Sequence, residues 1–418
     1  MSREAGKKIF KEQGISGFVL HYGARALTKV EKKVIGKGTA RFCKIKKNRL
    51  VFKNRENLDF TDNPRAFFDY LLKMGYNDKY EIIWLVSDPG KFRHLNYKNV
   101  KFVTAENRYG WNSCRAYYYA ATARYFFFSH NTQDLLDYGC EGRQIINLWH
   151  GCGYKDAEQA RKNQNSRADF DYALVPGPVF VKTKSRLWNC APGHLLMMGY
   201  PRYDWMLHPS MNQEEILERL FGWKGRKAVI WMPTFRKSEL GGCAENEIEL
   251  PCQLPGIRDE EELKQIDAYL RREQILMIIK KHPLQTGWDQ EEQGFTNIRY
   301  VSEDLLDRKE VRLYELIGDC DGLLSDYSSV AVDYLLLNRP LGYVLADYEI
   351  YKEKRGFVFD DPLEYMPGEK IYNAEDMIKY LKHLSEGTDT YMQERAQMLL
   401  QMHNKTESYC KRLAEYLL

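Results

Sequence analysis

From Arg49 onward, short runs rich in β-branched and aromatic residues alternate with stretches of helical character, a pattern that restricts the chain to an α/β fold. Two series of strands are predicted. The first is Arg49–Lys53, Glu81–Val86, Lys101–Thr104, Tyr125–Ser129, Gln144–Trp149, Tyr172–Val175 and Leu195–Met198; the second is Lys227–Met232, Ile275–Lys280, Ile298–Val301, Gly322–Leu324 and Leu341–Leu345. Between them Tyr203 to Gln213 reads as a hinge, broken at Pro209-Ser210, before a helix from Glu214 to Phe221; the chain from Ala374 is helical in pattern. The expectation is two doubly wound parallel α/β domains in tandem, with ligand in the cleft outside the strands' carboxyl ends. Gly241 to Glu262, with Gly, Pro and acidic clusters, reads as a mobile insertion near that cleft.

A length of 418 residues suits two domains, and 44% hydrophobic residues are ample for two cores. Charged residues at 29%, balanced in sign, with 29 Tyr, 19 Phe and 8 Trp, exclude intrinsic disorder. A mean hydropathy of −0.57 argues against a polytopic membrane protein, and the most apolar window, Tyr117 to Phe128, is too short to span and carries Arg124. Residues 1–20 lack the apolar core and cleavage site of a signal peptide. The nine cysteines are scattered, without a CxxC pair, which fits a reducing compartment and gives no zinc-ligand spacing.

The net charge of +4 hides a division. Residues 1–55 hold sixteen Lys/Arg against three Glu, or +13, which leaves −9 for the rest. Phe10, Ile15, Phe18, Leu20, Leu27, Val30 and Val34 interleave with these cations, the composition of a segment lying on an anionic membrane surface. A solvated basic arm and a nucleic-acid contact are the other readings; no nucleic-acid-binding motif accompanies them.

Several polar clusters come directly after strands. Asn147 to Lys155 places His150 at a strand end, followed by Gly151, Cys152, Gly153 and Tyr154; the glycines admit backbone to a ligand, and a histidine titrating near neutrality suits a general base. A strand-capping histidine packed by Trp149 is the bland alternative. Lys280-Lys281-His282-Pro283 puts cations beside a histidine, suited to a diphosphate leaving group, although a surface Lys-Lys pair would look the same. Ser325 to Asp333 opens an apolar helix with Ser328 and Ser329, whose free N–H groups and dipole favour phosphate; simple capping is the alternative. Asp333, one turn in, reads either as an acceptor for a ribose hydroxyl or as a complement to the dipole. Arg202, and the Pro233-Thr234-Phe235-Arg236 segment, add arginines whose planar forks suit phosphate oxygens.

Taken in order, WHG…K (149–155), GYPRxD (199–204), PTFR (233–236), HP (282–283), SDYSS…D (325–333), NRP (338–340) and RGF (355–357) resemble the CDP-glycerol glycerophosphotransferases of teichoic-acid and related capsule synthesis, over about Arg49 to Asp361. The resemblance implies a GT-B-like fold, a CDP-polyol donor in the interdomain cleft, a polyprenyl-linked saccharide or growing polymer as acceptor, release of CMP, and peripheral attachment to the cytoplasmic face of the bacterial membrane. It implies His150 as the base and His282 at the diphosphate, with Gly151, Cys152, Gly153, Tyr154, Arg202, Pro233, Thr234, Arg236, Lys281, Pro283, Ser328, Ser329 and Asp333 toward the donor. On this reading residues 1–48 are the membrane-surface segment, 49–205 the acceptor-side domain with the base, 206–390 the nucleotide-donor domain and 391–418 a C-terminal helix. The family usually has Thr-Pro where this chain has Cys152-Gly153, and Asn where it has Tyr203. A nucleotide-sugar glycosyltransferase of GT-B type, and a non-catalytic scaffold docked at the membrane, are the rival readings. No cofactor is called for, and no ligand set for a divalent metal is indicated. Asp169-Phe170-Asp171 and Asp319-Cys320-Asp321 read as DxD, but each precedes a strand rather than following it.

Overall fold

The computed structural model describes residues 34, 37–54, 60–106, 112–130, 135–136, 140–155, 169–234, 250, 254–280 and 294–418. Seven strands make the first sheet: β1 Arg49–Lys53, β2 Glu81–Val86, β3 Val100–Thr104, β4 Tyr125–Phe128, β5 Gln144–Asn147, β6 Tyr172–Val175 and β7 Leu195–Met197, in the spatial order β3-β2-β1-β4-β5-β6-β7. Six make the second: β8 Lys227–Trp231, β9 Ile275–Lys280, β10 Ile298–Val301, β11 Gly322–Ser325, β12 Leu341–Val344 and β13 Glu369–Ile371, in the order β10-β9-β8-β11-β12-β13. Every pairing is parallel, so the expected pair of doubly wound sheets is present, and the architecture is GT-B-like.

Parallel sheets carry helices on both faces, which is why the central strands are apolar along their whole length. Leu50, Val51 and Phe52 of β1, and all six residues of β9, are buried. Phe52 stacks between Trp84 and Phe127 at 5.4 and 4.9 Å, so neighbouring strands share one aromatic layer. In each sheet the chain reverses its direction of winding beside the first strand, between β1 and β4 and between β8 and β11, which opens a crevice at the carboxyl edge.

Three expectations change. The hinge holds a short helix, Tyr203–Leu207, because Tyr203 and Met206 are buried. The proposed insertion is partly structural: Leu254 and Ile257 lie in the second core, and Glu260 begins the helix Glu260–Glu273 with Asp259 as its cap; residues 241–249 and 251–253 lie outside the described residues. A sixth strand, β13, joins the second sheet beyond the five predicted. Beyond the helix Ala374–Glu386, the helix Met392–Met402 packs on both halves, with Arg395 donating to Asn338, and Tyr409–Leu417 returns to the first-sheet domain. Asp204 accepts from the Ser408 hydroxyl at 2.7 Å and from the amides of Tyr409 and Cys410 at 2.7 and 3.0 Å, fixing the start of the last helix. Among the described residues no helix is long and apolar enough to cross a membrane.

Candidate active site

The turn after β5 is shaped to deliver a histidine. Trp149 adopts φ 51°, a left-handed conformation that a bulky residue keeps only when its surroundings impose it. The Asn147 side chain accepts from the Trp149 amide at 2.9 Å, and the indole N–H donates to the Gly151 carbonyl at 2.5 Å. Buried Asn63 donates to the carbonyls of Leu148 and Trp149 at 3.2 and 2.7 Å. His150 is thereby presented to a cavity of about 410 Å³ between the two sheets. Its Nδ1 lies 3.1 Å from the Ser129 carbonyl oxygen, which only accepts; in the neutral ring the proton is therefore assigned to Nδ1, and Nε2 carries the lone pair. Burial holds the His150 pKa well below its ordinary 6.5, the neighbouring His130 adds to the effect, and the Ser129 hydrogen bond opposes it.

The facing wall comes from the second sheet. Buried Asp326, just after β11, accepts from the Thr234 amide and hydroxyl at 2.8 and 2.6 Å, so the loops on either side of the β8/β11 crevice are tied together. Pro233, Thr234, Tyr327, Ser328 and Ser329 line the cavity there, with Ser328 at the N-cap of the helix Ser329–Tyr334. A Cβ on Gly151, at φ 134°, would lie 2.4 Å from Ser329 Oγ, and one on Gly153 would lie 2.8 Å from the Ser329 amide nitrogen. Glycine at both positions thus lets the histidine loop touch the helix start across the domain boundary.

Four sequence candidates stand behind this surface rather than on it. Cys152 is buried with its Sγ 3.1 Å from the Tyr200 hydroxyl, and burial pushes the thiol's pKa up, the opposite of an activated nucleophile. Tyr154 reaches the Tyr343 hydroxyl and donates to the Tyr365 carbonyl at 2.9 Å, bridging the halves. Arg202 donates to Asp62 at 2.7 Å and to Asp333 at 2.8 Å, and Asp333 also accepts from the hydroxyls of Tyr203 and Tyr314. The Asp333 carboxylate is fully enclosed by these partners. Arg236, Lys281, His282 and Pro283 lie outside the described residues.

The cavity also holds cationic residues, Lys155, Lys184, Lys280 and Arg355, of which Lys280 pairs with Glu303 at 2.9 Å. Lys155, Lys280 and Arg355 sit within or beside the sequence motifs. Lys184 and Thr183 do not: they project from the helix Val179–Trp188, and no signal in the sequence separates them from an ordinary surface turn. The two DxD segments lie at the opposite edge of the sheets. Asp171 accepts from the Ile145 amide at 2.7 Å and Asp321 from the Ala228 amide at 2.8 Å, so each closes the amino end of a strand. Among the described residues no group of three His, Cys, Asp or Glu is gathered as for a metal ion.

Comparison with known proteins places this arrangement. Residues 37–410 match the family described as CDP-glycerol:poly(glycerophosphate) glycerophosphotransferase. The teichoic acid poly(glycerol phosphate) polymerase of Bacillus spizizenii is 25% identical over 348 residues, covering 79% of this chain and 82% of that protein. The teichoic acid glycerol-phosphate transferase of Staphylococcus aureus is 25% identical over 369 residues, covering 84% and 87%. In fold, the structure of the wall teichoic acid polymerase TagF superposes with a TM-score of 0.72 at 19% identity, over 95% of this chain and 97% of that one. A family match across residues 37–410, spanning the same pair of sheets that frames the cavity, is decisive: the chain is a transferase and belongs to the CDP-glycerol:poly(glycerophosphate) glycerophosphotransferase family.

Proposed function

We propose that the chain moves glycerol phosphate, or a closely related polyol phosphate, from its CDP derivative to a hydroxyl of a polyprenyl-linked saccharide or growing polymer during teichoic acid synthesis. The observation that carries the mechanism is the placement of His150, tautomer fixed by Ser129, across one cavity from the Ser328–Ser329 helix start. His150 Nε2 takes the proton from the acceptor hydroxyl as that oxygen forms its bond to the β-phosphorus. The bond from that phosphorus to the bridging oxygen breaks, and CMP leaves with the electron pair. Charge gathers on CMP, where Thr234, Ser328, Ser329 and the backbone of Gly151 and Gly153 line the wall. Lys281 and His282 complete the diphosphate site in this reading; its support is that they come directly after Lys280, which ends β9 at the cavity.

Arg202, Asp333 and Tyr154 act on the donor by holding the two walls in register, and Cys152 by seating the histidine loop against Tyr200. Residues 1–48 dock the enzyme on the anionic cytoplasmic leaflet; the concentration of cations in this stretch supports that role. The test is mass spectrometry of the products made from CDP-glycerol, CDP-ribitol and a UDP-sugar, each with a short lipid-linked acceptor. Acceptor lengthened by a polyol phosphate, with equimolar CMP, is expected. CMP release absent with every acceptor would leave a scaffold, and transfer from a nucleotide sugar alone would leave a glycosyltransferase.

A further inference from the structure

Given the transfer proposed above, the acceptor hydroxyl must approach His150, so the rest of the acceptor lies along the first-sheet wall, on the base's own side. A polymer-type acceptor carries a feature that a plain saccharide lacks: its terminal polyol is joined through a phosphodiester a few carbons from the free hydroxyl. One first-sheet cation lies beside the base without belonging to any of the sequence motifs. Lys184 lines the cavity from the helix Val179–Trp188, which comes after β6, the strand paired with β5 that presents His150. Its Nζ lies 4.9 Å from the Trp149 ring centroid and 5.3 Å from that of Trp188. Those two indoles meet edge to face at 4.8 Å, and Trp149 in turn lies 4.0 Å from the His150 ring. The ammonium itself therefore sits over an aromatic corner beside the base, held there by cation–π attraction, and adds positive charge to that wall of the cavity.

We propose that Lys184 binds the phosphodiester next to the attacking hydroxyl, so that this enzyme favours acceptors already ending in a polyol phosphate over those ending in a neutral sugar. Lys184 is in this sense a specificity residue on the acceptor side, apart from the donor phosphates placed around the Ser328–Ser329 helix start.

The experiment measures kcat/KM for two lipid-linked acceptors, one ending in a neutral disaccharide and one in the same disaccharide bearing a single glycerol phosphate. The full chain and its Lys184→Ala and Lys184→Arg variants are compared, with KM for CDP-glycerol read in parallel. The expected result is a preference of the unmodified chain for the phosphorylated acceptor that falls about tenfold in Lys184→Ala, the size of one charge-assisted contact, and is largely kept in Lys184→Arg. The preference should also shrink with added salt. An unchanged ratio in Lys184→Ala would overturn the assignment, as would a loss confined to KM for CDP-glycerol, which would make Lys184 a donor ligand. Failure of the unmodified chain to transfer from CDP-glycerol to either acceptor would overturn the proposed function instead.

Discussion

The imidazoles of His130 and His150 stack face to face, 4.4 Å between centroids and 12° from parallel. Ser129 serves both: its carbonyl oxygen meets His150 Nδ1 at 3.1 Å, and its hydroxyl, donating to Asn54, lies 2.8 Å from His130 Nδ1. Two rings so placed resist being charged together, and Lys184 and Arg202 press the same way on His150. In the proposed role of base His150 is active when unprotonated, so a lowered pKa carries the acid limb of kcat/KM to lower pH. The midpoint of that limb should fall below 6.5. In His130→Phe, which keeps a stacked ring but removes the second titrating group, the midpoint should move upward. A midpoint that stays put in this variant would show that His130 does not tune the base.

His150→Ala should lower kcat by about 10² to 10⁴, the range for general base help, while CDP-glycerol still raises the melting temperature. Turnover near that of the unmodified chain, with folding intact, would remove His150 from the mechanism. His282→Ala is expected to weaken that donor-induced rise as well as turnover; full retention of both would remove it from the diphosphate.

Arg202 and Asp333 form a pair enclosed between the domains, with Asp62, Tyr203 and Tyr314 as further partners. Removing one member strands a buried charge, so Arg202→Met and Asp333→Leu should each cost roughly 3–5 kcal/mol by urea unfolding. The double variant should cost clearly less than the two singles together. Full stability in the singles with a changed KM for CDP-glycerol would show instead that these side chains reach the donor directly.

Gly151→Ala would force a Cβ to within 2.4 Å of Ser329 Oγ at a backbone angle that side chains avoid. The loop and the helix start must then part, and kcat/KM is expected to drop by a factor of about 10² because reacting groups are displaced. A fully active, normally folded Gly151→Ala enzyme would refute the close approach.

Deleting residues 1–48 should abolish binding to liposomes containing anionic lipid at about 0.15 M salt, where each basic residue near the surface contributes about 1 kcal/mol. Persistent liposome binding by the shortened protein would move the membrane contact elsewhere.

The sheets were legible because their strands announce themselves: β1, β2, β6, β9 and β10 appear with the expected ends, each bounded by turn residues. β13 was not, since Glu369–Ile371 has three residues, two of them charged, and pairs on one side only, with β12. The Tyr203–Leu207 helix escaped because Pro209 dominates its surroundings in sequence, whereas burial of Tyr203 and Met206 is a matter of tertiary contact. Around the cavity, His150, Thr234, Ser328 and Ser329 were approachable because parallel strands send the loops at their carboxyl ends to one edge. A charge in a motif does not disclose its partner, which is why Arg202 and Asp333 could be noticed but not assigned to each other. Lys184 had no such marker, because a lysine on an amphipathic helix looks the same whether it faces water or a cleft.

The closing helix Tyr409–Leu417 packs on the first-sheet domain, with Cys410 Sγ near the carbonyls of Ala66 and Pro201 and the Tyr125 hydroxyl donating to the Leu417 carbonyl. The domain that comes first in the sequence is therefore completed by a helix that lies beyond the second sheet. Translation alone cannot finish that half: until the last helix emerges, a nascent chain shows the apolar seat awaiting Leu413 and Leu417. The strands of the second sheet all precede that helix in the chain, so synthesis of the second sheet comes before the first domain has its full complement of contacts.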